Sequence, residues 1–264
     1  MKRITSAGNP HFKALRELVE SSRERRKSGL TVLDGVHLVA AYRSGVGAPE
    51  QWVVSDAGSK NSEIKQLLNE FPAADILLLD DALFKQISQL TTPTGIVAVV
   101  KTPRPDPMPA DMDACVMLED LQDPGNLGSI LRSAAASGIR HVLLSRNAAH
   151  AWSPRVLRAG MGAHFMLHIH EQIDLGAAAR AFKGTVIATT GNAPRSLYDV
   201  DLRGKVALMF GNEGGGLTPA LKAAASMEVS IPMPGKTESL NVAAAAAVCL
   251  FERVRQLRAV HNAE

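Results

Sequence analysis

SIPMPGKTESLNVAAAAAVCLFERVRQLR, residues 230–258, combines a short apolar segment, a turn and a long apolar run. Ile231 to Met233 predict a short strand, and Pro234-Gly235 predicts a turn. A long helix is expected to begin at Ser239-Leu240-Asn241, with the Ser239 hydroxyl accepting a hydrogen bond from a first-turn N–H. The alanine-rich run that follows is apolar nearly all round, so this helix is expected to be buried. A strand, a polar loop and a helix start suit a ligand with polar edges, although a structural helix docked on a sheet also explains the stretch.

The composition predicts a folded protein of one or two domains. Of its 264 residues, 46% are hydrophobic and 21% charged, which excludes a disordered chain. No apolar run reaches the roughly 18–20 residues of a membrane span, and the N-terminus lacks the apolar core of a secretory signal. Cys115 and Cys249 have no His or Cys at metal spacing, which predicts buried thiols in a reducing cytoplasm and neither a disulfide nor a metal site.

Positive charge is concentrated near the N-terminus. Residues 1–30 carry eight Lys or Arg against three Glu, a local net charge of +5, whereas the whole chain carries only +3. Such a cluster predicts a polyanionic partner, above all nucleic acid, although ordinary solvated charge also explains it. The residues predicted to contact the nucleic acid are Lys13, Arg16, Arg23, Arg25 and Arg26.

Strand and helix patterns alternate in two blocks. In residues 1–101 a helix begins at Asn9-Pro10, and the alternation from Leu30 onward predicts a compact three-layer α/β domain. Residues 102–113, with four prolines and three aspartates, predict a linker. In residues 114–264 continuous apolar strands alternate with helices, which predicts a mostly parallel sheet covered on both faces.

The expected element bounds follow from the same patterns. The expected strands are 30–35, 51–56, 75–80, 95–101, 114–120, 141–145, 165–170, 185–190, 205–213 and 227–233. The expected helices, after the one at Asn9-Pro10, are 36–45, 61–71, 81–90, 126–137, 153–163, 175–183, 218–226 and the one that begins at 239. Ligands of parallel sheets bind outside the carboxyl ends of the strands.

Three polar loops of the second block hold residue types that a buried core would not choose. The first, 118–138, contains Asn126 and Arg132, and an Arg on an alanine-rich helix is costly unless it meets a partner or an anion. The second, FGNEGGGLTP at 210–219, is glycine-rich and carries one carboxylate, Glu213. The third contains Ser239 and Asn241.

Other catalytic motifs fit poorly. Gly235-Lys236-Thr237 resembles the end of a phosphate-binding P-loop, but Ser230 stands where that motif needs Gly. GNEGGG lacks the spacing of a dinucleotide-binding loop. His164, His168 and His170 are expected to be ordinary residues of a strand, not metal ligands.

The three polar motifs, in this order, resemble a known family. They are N-x-G-x-x-x-R after D-P-G (123–132), F-G-N-E-G-x-G-L (210–217) and I-P-M…S-L-N-V-A-x-A (231–245). Together they closely resemble the SPOUT superfamily of RNA methyltransferases, in its SpoU/TrmH 2′-O-ribose branch, over about residues 114–258. The first domain, with ITSAGNPHFKALRELV and LDGVHLV, resembles the ribosomal-protein-L30-like substrate-binding domain often joined to it.

The resemblance implies a fold and a cofactor. The C-terminal part of the sheet is expected to be tied in a deep trefoil knot, whose loops bind S-adenosylmethionine in a bent form. Backbone groups of Gly211, Ile231 and Leu240 are expected to hold the adenine and ribose. The positions implied for the cofactor are Thr189, Thr190, Gly191, Gly211, Asn212, Gly214, Ile231, Met233 and Leu240.

The resemblance also implies catalytic residues. Arg132 matches the catalytic arginine of the family, with Asn126, Glu213, Ser239 and Asn241 around it. Transfer to a 2′-hydroxyl requires in-line positioning and help in removing the hydroxyl proton. An arginine is normally too basic to remove that proton, so Arg132 is either a strongly perturbed base or a group that orients an RNA phosphate. The family works as homodimers, so Arg132 is expected in a site that the partner subunit completes.

Two alternatives to an rRNA methyltransferase stay open. One is a catalytically silent RNA- or ribosome-binding protein of the same fold, which the retained motif residues disfavour. The other is a tRNA enzyme, which the L30-like domain disfavours. One departure from the family, Met161 where a serine commonly precedes the Gly-Ala pair, is expected to affect packing more than chemistry.

Overall fold

The computed structural model describes residues 2–70, 75–235 and 237–261. In the first half the elements are β1 (Lys2–Ile4), α1 (Pro10–Glu20), α2 (Ser22–Ser28), β2 (Leu30–Asp34), α3 (Val36–Gly45), β3 (Gln51–Ser55), α4 (Ser62–Asn69), β4 (Ile76–Leu79), α5 (Asp81–Ile87) and β5 (Ile96–Lys101). Strand β1 was not predicted, because three residues are too few to display an alternating pattern. The helix expected over 61–71 ends at Asn69, and Phe71 lies outside the described residues.

Short polar side chains start the helices of this half. The side chains of Asn9, Asn61 and Asp80 each accept a hydrogen bond from a backbone N–H of the first turn. Asn9 precedes Pro10 at the first helical position, as the sequence predicted. These caps hold helix starts against a five-stranded sheet in the order β1-β4-β3-β5-β2, in which β5 is antiparallel to both of its neighbours.

One apolar cluster joins this sheet to α1 and α5. Phe12, Leu15, Leu18 and Val19 of α1 are buried, which confirms the predicted apolar face of that helix. They pack with buried residues of the strands and of α5, such as Val53. The α/β character predicted for the first domain is therefore confirmed.

The second half contains six parallel strands. Its elements are β6 (Ala114–Leu118), α6 (Pro124–Ala136), β7 (His141–Leu144), α7 (Pro154–Gly160), β8 (His168–His170), α8 (Leu175–Ala181), β9 (Thr185–Thr189), β10 (Val206–Phe210), α9 (Pro219–Ala223), β11 (Met227–Val229) and α10 (Val242–His261). The strand order is β11-β9-β10-β6-β7-β8, and every pairing between these strands is parallel. The predicted parallel sheet is confirmed, whereas the trefoil knot stays a prediction.

Several predicted bounds were wrong. Residues 163–166 form a 3₁₀ turn, so the strand expected over 165–170 begins only at His168. Strand β11 ends at Val229, short of the expected 233. Prolines 232 and 234 have no N–H for a ladder, which explains why the strand does not continue through them.

The last helix begins and packs differently from the prediction. Its first residue is Val242, and its N-cap side chain is Asn241, whose Oδ1 accepts hydrogen bonds from the N–H groups of Ala243 (2.9 Å) and Ala244 (3.3 Å). The predicted cap, Ser239, was therefore wrong. The helix is also not buried all round, because Phe251 is 47% exposed while Cys249 on another face is fully buried.

The contacts divide the chain into two compact units, which are 1–103 with 152–165, and 104–151 with 166–264. Helix α7, expected in the second domain, thus belongs to the first unit, where the Thr31 hydroxyl donates to the carbonyl oxygen of Trp152 at 2.6 Å. The domain bounds 1–101, 102–113 and 114–264 otherwise stay a prediction. Among the described residues, no helix is long and apolar enough to cross a membrane.

Candidate active site

A cavity of about 440 Å³ lies in the second unit, where β9 and β10 end and the chain follows β11 toward α10. Parallel strands place their carboxyl ends at one edge, so the loops that follow them meet there. The structure brings together in this cavity every position implied for the cofactor. These are Thr189, Thr190, Gly191, Gly211, Asn212, Gly214, Ile231, Met233 and Leu240.

Four of the five residues implied for catalysis also line this cavity. They are Asn126, Glu213, Ser239 and Asn241. Arg132, the fifth, does not line it and lies exposed on α6. No hydrogen bond or ion pair holds the Arg132 guanidinium within the part of the chain that the structure describes. The cavity therefore contains the expected amide and carboxylate groups but not the expected cation.

Hydrogen bonds between side chains connect the three motifs. The Glu213 carboxylate accepts from the backbone N–H groups of Gln122 (3.2 Å) and Asp123 (3.0 Å) and from Nδ2 of Asn126 (3.2 Å). Oδ1 of Asn126 in turn accepts from Nδ2 of Asn241 at 2.9 Å. Since the Oδ1 of Asn241 caps α10, the network runs from the glycine-rich loop through the start of α6 to the start of α10.

The surroundings of Glu213 favour the ionised form of its carboxyl group. Burial disfavours its charged form, but the hydrogen bonds from Asp123, Asn126 and Gln122 outweigh burial and lower the pKa of the carboxyl group. An ionised carboxylate at the N-terminus of α6 also interacts favourably with the helix dipole. Glu213 thus acts as a charged anchor for the start of α6, and its oxygens are occupied by N–H donors.

The glycine-rich loop needs its glycines for close packing. A Cβ on Gly211 would lie 2.1 Å from the carbonyl carbon of Gly216, and Gly216 itself has a φ of +66°. Oδ1 of Asn212 accepts from the N–H groups of Gly214 (2.9 Å) and Gly215 (3.0 Å). The loop is therefore a compact turn built by its own side chain and backbone, and it presents backbone to the cavity.

Sequence reasoning missed four residues of the cavity wall, namely Phe210, Gly216, Val242 and Ala245. Phe210 is the last residue of β10, directly before the predicted Gly211. Val242 and Ala245 are three residues apart in the first turn of α10 and so share a face. All four lie within the second and third motifs quoted above, so membership of those motifs was the available signal.

The predicted RNA-contacting cations of α1 and α2 have different surroundings. Lys13, Arg16, Arg23 and Arg26 are exposed. Arg25 is only 4% exposed, and its Nη1 donates to the carbonyl oxygens of Leu18 (2.6 Å) and Val19 (2.9 Å). The prediction that Arg25 contacts RNA was therefore wrong, because its guanidinium holds the end of α1 inside the fold.

The remaining titratable groups of the described residues include imidazoles and thiols outside the cavity. Among the described residues, no group of three or more His, Cys, Asp or Glu is arranged to hold a metal ion. His141, His168 and His170 stack on neighbouring strands, with Nδ1 of His141 lying 3.5 Å from Nε2 of His170. Cys115 and Cys249 are free and buried, as predicted, and burial raises the pKa of each thiol to about 12.

Family models match both halves of the chain. Residues 113–251 match the SpoU rRNA Methylase family, and residues 9–98 match the MRM3-like substrate binding domain. These matches confirm the resemblance drawn from the three motifs and from the first domain.

Relatives cover nearly the whole chain. An uncharacterized tRNA/rRNA methyltransferase of Synechocystis is 33% identical, with 96% of this chain and 93% of the relative aligned. The 23S rRNA (guanosine(2553)-2′-O)-methyltransferase RlmP of Bacillus subtilis is 29% identical, over 95% and 98% of the two chains. An rRNA methyltransferase of Sinorhizobium meliloti, solved with S-adenosylmethionine bound, superposes with a TM-score of 0.83 at 26% identity, over 97% and 98%.

Proposed function

The chain belongs to the SpoU rRNA Methylase family, and we propose that its cavity holds S-adenosylmethionine for methyl transfer to a ribose 2′-hydroxyl of ribosomal RNA. It is an S-adenosylmethionine-dependent RNA 2′-O-methyltransferase, as its relatives are. One observation carries the placement of the active site. Every cofactor position implied by the motifs lines one cavity together with the Asn126, Glu213 and Asn241 network.

The cavity fits the cofactor in size and chemistry. Its volume of about 440 Å³ lies within the roughly 300–1,000 Å³ of small-molecule sites. Phe210, Ile231 and Leu240 offer apolar surface for an adenine ring, while the backbone at Gly191 and Gly211 offers hydrogen-bonding groups without side chains in the way. When bound, S-adenosylmethionine supplies an electrophilic methyl group on a sulfonium.

Residues around the cavity hold the elements that position the substrate ribose. The network of Glu213, Asn126 and Asn241 holds the starts of α6 and α10 in place around the cavity. Because a guanidinium keeps its proton in proteins, we assign Arg132 to an RNA phosphate, where it orients the ribose and stabilises developing charge. Ser239 also lines the cavity, two residues before Asn241 in the sequence, and its side chain offers a hydroxyl group there.

The position of Arg132 supports a homodimer. Its side chain is exposed on α6 and absent from the cavity wall of its own subunit. Helix α6 packs against α10, whose Phe251 is 47% exposed. A second copy that covers this surface buries Phe251 and brings its own Arg132 to the cavity, which completes the site.

Ribosomal RNA is the proposed substrate and the cytoplasm the proposed location. The first unit resembles a substrate-binding domain and gives the enzyme a separate surface for a large folded RNA. A tRNA substrate and a silent binding protein are the competing functions. Methyl transfer to rRNA but not to tRNA would exclude a tRNA substrate. Methyl transfer to any RNA would exclude a silent binding protein.

The test uses purified protein, tritiated S-adenosylmethionine and deproteinised large-subunit rRNA. Arg132→Ala is expected to lower transfer by about 10²–10³-fold, with calorimetric affinity for S-adenosylmethionine unchanged. Arg140→Ala, which removes another exposed arginine that follows α6, is the matched control and is expected to keep its activity. Loss of cofactor binding in Arg132→Ala would contradict the assigned role.

Mixed dimers test the contribution of the partner. Gly191→Trp is expected to fill the cavity, because a Cβ there meets only the Glu238 carbonyl oxygen at 3.9 Å and the larger ring has room to enter. Neither Arg132→Ala nor Gly191→Trp is expected to be active alone. A refolded mixture is expected to regain activity, since one cavity is intact and faces an intact Arg132 of the partner. A mixture as inactive as its parents would place Arg132 in its own subunit's site.

A further inference from the structure

Helix α7 and the loop 88–94 lie together in the first unit and form a polar surface that the catalytic cavity does not use. Nη1 of Arg158 donates to the carbonyl oxygen of Gln89 at 2.7 Å, and Nε of Arg155 lies 3.5 Å from Oε1 of the same residue. Both arginines are exposed. Both guanidiniums thus contact the same glutamine, and both arginines remain exposed to solvent.

The loop beside them is fixed at both ends. At its start, the buried carboxylate of Asp34 accepts hydrogen bonds from Oγ of Ser88 (2.8 Å) and from the backbone N–H of Gln89 (2.6 Å). At its end, Gly95 packs so closely on Gly58 that a Cβ on Gly58 would lie 2.1 Å from the Gly95 carbonyl oxygen. A loop held in this way loses little conformational entropy when it binds a partner.

The exposed groups suit a sugar-phosphate backbone. Thr91, Thr92 and Thr94 are exposed and offer hydroxyls, which bind both phosphate oxygens and ribose hydroxyls. Neither Arg155 nor Arg158 forms an ion pair within the described residues. Other arginines of the same unit do form ion pairs: Arg43 pairs with Glu70, and Arg16 pairs with Glu20.

Asp34 is an acidic group close enough to Arg158 for their charges to interact. Its Oδ2 is occupied by Ser88 and Gln89, and its carboxylate is buried beneath the loop. The negative charge of Asp34 therefore does not cover the outer face of the guanidiniums, which is left for an external anion.

We propose that Arg155, Arg158 and the threonines of loop 88–94 form an RNA-binding surface that contacts the phosphates and ribose hydroxyls of the substrate. This inference rests on the proposed function, since it takes rRNA as the polyanion. It assigns backbone contacts that position the RNA, without base specificity.

The test measures the binding of deproteinised large-subunit rRNA at about 50–200 mM NaCl. The double variant Arg155→Gln/Arg158→Gln is expected to reduce the slope of log K against log salt by about 1.4–1.8, for two lost phosphate contacts. Its Kd near 0.1 M salt is expected to rise about tenfold or more. Arg155→Lys/Arg158→Lys keeps both charges and is expected to retain most of the slope.

The control removes two charges elsewhere on the same unit. Lys60→Gln/Lys65→Gln changes two exposed lysines and is expected to leave the slope nearly unchanged. If the arginine pair and the lysine pair alter the slope equally, the surface is ordinary solvated charge and the inference is wrong. Methyl transfer by the unmodified protein is measured in parallel. Its absence, together with no RNA binding, would overturn the proposed function and this inference at once.

Discussion

The charged anchor at Glu213 gives the sharpest prediction. Replacement by Gln keeps one acceptor oxygen and removes the charge, whereas replacement by Ala removes both acceptors. The carboxylate accepts three hydrogen bonds of 3.0–3.2 Å at the start of α6. Both variants are therefore expected to loosen the junction between α6 and the glycine-rich loop.

The magnitude follows from these bonds and from exposure. Hydrogen bonds to a charged group contribute roughly 1.5–3 kcal/mol when buried, and a charge at a helix N-terminus adds about 0.3–1 kcal/mol. Because Glu213 is exposed, water replaces part of what is lost. We expect Glu213→Gln to cost about 1 kcal/mol and Glu213→Ala about 2 kcal/mol.

Urea unfolding, followed by the transition of the second unit, measures these losses. With a slope of about 3 kcal/mol/M, 2 kcal/mol lowers the midpoint by about 0.7 M. The pH dependence of this stabilisation also follows from the pKa of Glu213. Since that pKa is lowered from 4.5 in the folded state, the contribution of Glu213 to stability is complete above pH 4.5 and is lost as the pH falls through the lower folded pKa.

Two results would refute this reasoning. One is an unchanged midpoint for Glu213→Ala at pH 7. The other is an equal loss for both variants, because Gln keeps one of the acceptor oxygens that Ala removes. Affinity for S-adenosylmethionine is expected to weaken with stability, because Glu213 lines the cavity. Full affinity in a destabilised variant would separate the anchor from the site.

Three further predictions concern groups inside the fold. Arg25→Ala is expected to cost about 3 kcal/mol of stability in urea unfolding, because it removes a buried guanidinium with two carbonyl partners. The salt slope of RNA binding should be unaffected by it, and a reduced slope would restore Arg25 as an RNA contact. Burial and neighbouring imidazoles lower the pKa values of His141 and His170 from 6.5, so the unfolded chain binds more protons and stability is expected to fall as the pH drops below about 6.5. His141→Phe should weaken that fall in urea midpoints measured between pH 8 and pH 5.5, and an identical pH profile would contradict the stacking argument. Gly211→Ala is expected to reduce affinity for S-adenosylmethionine at least tenfold in calorimetry, because its Cβ would meet the Gly216 backbone at 2.1 Å. Gly204→Ala is the matched control, since a Cβ there meets nothing within 4 Å. Equal affinity in both variants would show that the glycine-rich loop adapts to the added Cβ.

Sequence alone predicted the parallel sheet, most of its strands and most of the residues that line the cavity. Apolar runs and helical periodicity are local properties, and a strand or a helix face follows from a few neighbouring residues. The caps at Asn9-Pro10 and the buried face of α1 were predicted for this reason. The three polar motifs predicted most of the cavity lining, because their glycines and amides are residue types that an apolar core does not favour.

Tertiary structure decided which of these groups meet. Asn126 and Asn241 are 115 residues apart in sequence and 2.9 Å apart in space, so no local pattern contained their contact. The same holds for Glu213, whose backbone partners at the start of α6 are about 90 residues away in sequence.

Burial likewise followed from packing and not from residue type. Arginine is usually a surface residue, yet the last turn of α1 presents two backbone carbonyls to Arg25, whose side chain is buried. Arg132 lies in a motif expected to form the active site, yet it is exposed on α6 and does not line the cavity. Sequence periodicity fixes which face of a helix is apolar, but only the packed fold determines what each polar side chain on the other face can reach.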